Sequence, residues 1–187
     1  MTADQIPDFL KWIYAFGFIL VFILLVAAFI TRNRTGRYHK AWAPLLRVVN
    51  GTVKSQRRTS TLSGDYRGHP VGARISKGGR NVPDKFSVEV PAGQGGRDWE
   101  LAHRSEKLLG PESWRVFTKD PALQAKMEAA GVPTTLKDWP EHTAVRYDAA
   151  KGTLTLTEEI FSPQPGHFKS QLDLLDWLAE VNRQLNG

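Results

Sequence analysis

The sequence predicts an α+β protein: one N-terminal transmembrane helix followed by a single cytoplasmic domain, mostly antiparallel sheet packed with two or three helices. Three observations predict it. The uncharged apolar run at 12–31 (WIYAFGFILVFILLVAAFIT) has the length that an α-helix needs to cross a hydrocarbon core of roughly 30 Å. Short segments such as Phe86–Val90 (FSVEV) alternate with the period of half-buried strands. Stretches with helix start and stop signals lie between and after them.

The predicted parts, in order, are a short extracytoplasmic tail (1–11), the transmembrane helix (12–31), a basic juxtamembrane linker (32–40) and the domain (41–187). The flanks of the run set its orientation. Asp4, Asp8 and Lys11 precede it, and Arg32, Arg34, Arg37 and Lys40 follow it. Basic residues near a membrane end are retained in the cytoplasm, so the reading is an inner-membrane, single-pass protein with its N-terminus outside. Trp12 and Tyr14 at one end, and Tyr38 and Trp42 at the other, fit aromatic interface belts. A cleaved signal peptide needs a basic start and a shorter apolar core, and the charge bias here runs the other way.

Within the domain, Ala41–Val49 reads as a short helix ended by Asn50-Gly51, and the polar stretch 51–58 as a loop. Residues 60–76 read as a hairpin around Arg67-Gly68-His69-Pro70. Lys77–Asp84 is a turn-rich connector, Phe86–Val90 a strand, and Trp114–Thr118 a further strand. Asp120-Pro121 supplies an N-cap and a proline at the first helical position, with Gly131 as the stop, so a helix lies between. His142–Glu159 reads as a second hairpin around residues 148–152. Phe168, Leu172, Leu175, Leu178 and Leu185, with Leu174, Trp177 and Val181 beside them, recur at helical spacing and predict a closing helix packed on the sheet.

Charge is unevenly placed. From Arg47 to Lys85 nine Lys/Arg face two Asp, whereas from Phe86 onward eleven Lys/Arg face fifteen Asp/Glu. The basic docking surface predicted from this is Arg32, Arg34, Arg37, Lys40, Arg47, Lys54, Arg57 and Arg58, suited to anionic lipid headgroups or an acidic partner. The tether and the scarcity of interleaved aromatics argue against nucleic acid. Cysteine is absent, which excludes disulfides, thiolate nucleophiles and Cys-ligated metal centres.

Catalytic patterns are weak. The five histidines (39, 69, 103, 142, 167) fall in five elements with no metal-ligand spacing. Glu158 and Glu159 are adjacent on a strand and so point to opposite faces. The glycines at 93, 95 and 96 lack the strand–loop–helix setting and the Lys-Ser/Thr ending of a phosphate loop. No catalytic residue, metal or cofactor is predicted. In the apolar run, Tyr14, Phe18, Phe22, Leu25 and Phe29 fall within an arc of about 80° at 100° per residue, a contact face for lipid or neighbouring helices. The run has no ionisable or ligating group and no GxxxG, so a homodimer through it is not indicated.

Gly64-Asp-Tyr-Arg-Gly-His-Pro-Val71, Arg115-Val-Phe-Thr-Lys-Asp-Pro-Ala122 and the closing segment 175–185 loosely resemble a scattered group of uncharacterised bacterial membrane-anchored proteins. That resemblance implies a bacterial source and a shared small fold, and no activity. The function expected is a non-catalytic accessory or scaffolding subunit of a multi-subunit bacterial membrane complex, of a bioenergetic kind (photosynthetic or respiratory). Its expected partners are membrane lipids and other integral membrane subunits. The alternative is a free membrane-tethered ligand-binding or regulatory domain. A hydrolase would require a histidine within hydrogen-bond reach of a Ser or carboxylate in one cleft.

Overall fold

A computed structural model describes residues 8–56, 59–78, 83–105, 112–159 and 163–186; side chains at 8, 9, 11, 29–39, 105, 112 and 186 are not among those described. Eight strands form one sheet in the order β1-β2-β3-β4-β8-β7-β5-β6, and every pairing is antiparallel. The strands are β1 (Asn50–Ser55), β2 (Thr59–Tyr66), β3 (His69–Ser76), β4 (Lys85–Pro91), β5 (Trp99–Ser105), β6 (Glu112–Thr118), β7 (Ala144–Asp148) and β8 (Thr153–Glu159). The helices are α1 (Asp8–Trp42), α2 (Pro121–Ala129) and α3 (Pro165–Asn186), with 3-10 turns at Leu45–Arg47 and Val132–Leu136.

The alternation of the strands decides which face is covered. Val71, Ala73 and Ile75 of β3, Phe86, Val88 and Val90 of β4, Leu154 and Leu156 of β8, and Val145 and Tyr147 of β7 are buried. They meet Phe168, Leu172, Leu175 and Leu178 of α3, one residue per helical turn, so that the helix lies along the sheet. Trp177, read as part of that stripe, stays 38% exposed. The other sheet face carries Arg74, Glu89, Arg104 and Arg146 and remains open, as antiparallel sheets commonly do.

Local chemistry fixes the ends. Asp120 Oδ1 accepts from the Ala122 and Leu123 amides at 3.0 and 3.2 Å, a cap worth about 1 kcal/mol to α2. The β2–β3 turn places Arg67 and Gly68 at positive φ (51° and 84°), the two-residue geometry that matches strand twist. Its tip is fastened to α3: Tyr66 Oη donates to Asp173 Oδ1 at 2.8 Å, and Arg67 pairs with the same oxygen at 2.9 Å. The glycine-rich segment after β4 is not a phosphate loop. Tyr147 Oη sits 2.7 Å from both the Gly93 and the Gly95 carbonyls and pins it. Gly152 (φ 65°) packs so closely on this segment that a Cβ would come within 2.8 Å of the Gly93 and Gln94 backbone.

Several sequence expectations are corrected. Residues 41–49 are not a separate helix: α1 runs unbroken to Trp42, and only Leu45–Arg47 forms a 3-10 turn. Residues 50–55 are not a loop but strand β1; as an edge strand with one half-buried face, NGTVKS gives little alternation to read. The expected membrane span over 12–31 is also overturned. Among the described residues no helix is long and apolar enough to cross a membrane. The side chains at 29–31 of the expected span lie outside the described residues. The fold class built on a transmembrane helix, the single-pass topology and the inner-membrane placement with its N-terminus outside fall with that span.

Candidate functional site

α1 is 35 residues long, about 50 Å at 1.5 Å per residue. Its apolar side chains from Leu10 to Val26 are 39–76% exposed, on every side of the helix. Tyr14, Phe18, Phe22 and Leu25, the aromatic stripe expected from spacing, are all exposed; the side chain of Phe29 lies outside the described residues. The stripe is therefore not singled out by packing, because its neighbours Phe16, Ile19 and Leu24 are equally bare.

The opposite end of α1 is locked. Trp42 is fully buried, its indole N–H donates to Ser60 Oγ at 2.7 Å, and its ring packs on Phe86 at 5.9 Å. Ser60 Oγ in turn lies 2.8 Å from Ser55 Oγ of β1. Trp42 is thus a core residue and not an interface-belt aromatic; its closeness to the apolar run hides this in the sequence. The helix leaves the domain as a continuous arm rooted in the core.

Of the expected basic docking surface, Lys40, Arg47 and Lys54 are exposed around this root, on the end of α1, the 3-10 turn and β1. The side chains of Arg32, Arg34 and Arg37, and both Arg57 and Arg58, lie outside the described residues.

Sequence reasoning missed a buried polar cluster. Glu158 faces the core and is 1% exposed, while Glu159 is exposed on the other face. Thr143 Oγ1 donates to Glu158 Oε1 at 3.1 Å, and His167 Nε2 lies 2.8 Å from Oε2. Trp139 covers the imidazole, ring centres 5.3 Å apart. This meets the distance condition for a hydrolase but not its connectivity. In a nucleophilic triad the imidazole sits between hydroxyl and carboxylate, whereas here the carboxylate sits between the other two. One helical turn on, Gln171 is fully buried, and neither atom of its amide has a partner among the described residues. Among the described residues no group of three or more His, Asp or Glu is placed to hold a metal ion.

No family model matches the chain, and neither a curated protein nor a solved structure similar to it was found.

Proposed function

We propose that this protein is a non-catalytic accessory subunit of a larger assembly, attached through α1. One observation carries the reading: a helix with apolar side chains exposed on all sides is joined without a break to a buried tryptophan. Exposed apolar area on this scale marks an interaction surface, since monomers rarely leave more than a few hundred Å² of contiguous apolar surface in water. Its partners are expected to present apolar helices or an apolar groove to α1. The rooted end makes α1 a fixed arm, so the position of the partner sets the position of the whole sheet. Lys40, Arg47 and Lys54 at the root add a rim suited to acidic partner groups.

The test is isolation of the full chain from its native host in mild detergent, beside a variant with Tyr14, Phe18 and Phe22 changed to Ser. Stoichiometric co-migration of other subunits, lost in the variant while the domain melts at the same temperature, is expected. A lone wild-type monomer sinks the proposal.

A further inference from the structure

The bare sheet face carries a concavity of about 1020 Å³, whose lining includes the cations Arg97, Lys119 and Arg146 and the carboxylates of Asp98, Glu100 and Asp120. Sheet register builds it. Arg146 of β7 stands opposite Glu100 of β5, which stands opposite Phe117 of β6, one row across three neighbouring strands. Arg97 enters from the residues before β5, and Lys119 from those after β6.

The charges lining this hollow are not equivalent. Its three carboxylates are committed: Asp98 Oδ1 accepts from the Ala149 amide at 2.8 Å, Asp120 Oδ1 holds the first turn of α2, and Glu100 Oε1 pairs with Arg104 at 3.3 Å. The three cations are not. Among the described residues the side chains of Arg97, Lys119 and Arg146 make no hydrogen bond or ion pair. The amides at the α2 N-terminus are already taken by Asp120, so the helix end adds no free donors. Two planar guanidinium forks and a mobile ammonium, unpaired and converging on one hollow, match the oxygens of a phosphate or carboxylate group.

We propose that this concavity binds a soluble small molecule bearing phosphate or carboxylate groups. Its place in the sheet is far from the exposed apolar side chains of α1. α1 is rooted beside β1, six strand spacings from β5, roughly 30 Å along the sheet. The site is independent of α1, and binding here stands or falls separately from assembly through the arm.

Calorimetric titration of the full chain in mild non-ionic detergent, at low and at 0.3 M salt, tests it. Inorganic pyrophosphate and citrate serve as the probes. Arg146→Gln and Lys119→Gln remove site cations, and Arg183→Gln removes an arginine on α3 away from the site. Saturable binding of one probe per chain is expected, weakened at least tenfold by each site variant and unchanged by Arg183→Gln. Which probe binds more tightly separates phosphate from carboxylate chemistry. Absent or non-saturable binding overturns the proposal, as does binding that the site variants leave unchanged. Adsorption to phosphatidylserine vesicles through Arg146 and Lys119, with neither probe bound, also overturns it. Both substitutions replace exposed, unpaired side chains, so unchanged melting curves will verify that folding is intact.

Discussion

Two tryptophans on one helix have opposite surroundings. Trp12 is 76% exposed, and Trp42, thirty residues further along α1, is fully buried with its indole hydrogen-bonded. Residue type does not separate them: Trp12 opens the apolar run at 12–31, and Trp42 follows the basic stretch 32–40 beyond it. What separates them is partnership. The domain supplies Trp42 with Ser60 and Phe86, while this chain supplies Trp12 with nothing among its described residues. The C-terminal end of α1 is therefore finished by its own fold, and its described apolar side chains from Leu10 to Val26 await a surface from elsewhere.

The sharpest way to break this comparison is Trp42→Ala beside Trp12→Ala. The first removes a fully buried indole and one of the two hydrogen-bond partners of the Ser60 hydroxyl, for an expected loss of about 3–5 kcal/mol. By thermal melting in mild detergent this lowers the transition by roughly 10 °C. The second should leave the melt within about 0.5 kcal/mol of wild type. Equal effects would mean that the rooted end is not part of the core.

A smaller effect, of opposite sign, probes how well the domain is sealed. Gln171 presents two unpartnered amide atoms in a wholly buried position. Replacing such a group with an apolar one of similar size removes a desolvation penalty, so Gln171→Leu is expected to raise stability by about 1 kcal/mol in urea titration. A loss of 2 kcal/mol or more would show that the amide is paired in solution.

The smallest effect concerns the clasp between the β2–β3 tip and α3. Burial, then the hydrogen bond to Asp173 and the charge of that carboxylate, raise the Tyr66 hydroxyl above its usual value, and Arg67 partly opposes them. A raised folded-state value favours the protonated form in the native protein. Its contribution is therefore complete below the ordinary tyrosine range and is lost as pH climbs from about 10 through the raised value. Tyr66→Phe should flatten the difference in stability between pH 9 and pH 11. An unchanged slope in the variant would remove Tyr66 as its source.

Legibility followed the range of the interactions involved. α2 is readable because its cap, proline and stop all lie within twelve residues, and the β2–β3 hairpin because its turn is two residues long. α3 is readable from the spacing of Phe168, Leu172, Leu175 and Leu178. Strand order is not readable in this way, because β8 enters between β4 and β7 through pairings such as Val88 with Leu156. The apolar run misled twice: it suggested a membrane crossing, and it drew Trp42 into an interface belt instead of the core. The oxyanion site was hidden by averaging. The distal half is acidic in sum, yet the three carboxylates of the concavity are tied to amides and to Arg104, while among the described residues Arg97, Lys119 and Arg146 make no hydrogen bond or ion pair.

The strand order also has a consequence for the growing chain. β1 to β4 form a meander in which each strand pairs with the one just made, so this half can zip up during synthesis by short loop closures. The other side of β4 must wait for β8, whose first residue, Thr153, lies more than sixty positions beyond Pro91. Until then Phe86, Val88 and Val90 stand on an unprotected edge, open to pairing with another nascent chain. The interval between translation of β4 and arrival of β8 is the window in which this protein is most exposed to misassembly and most in need of a chaperone.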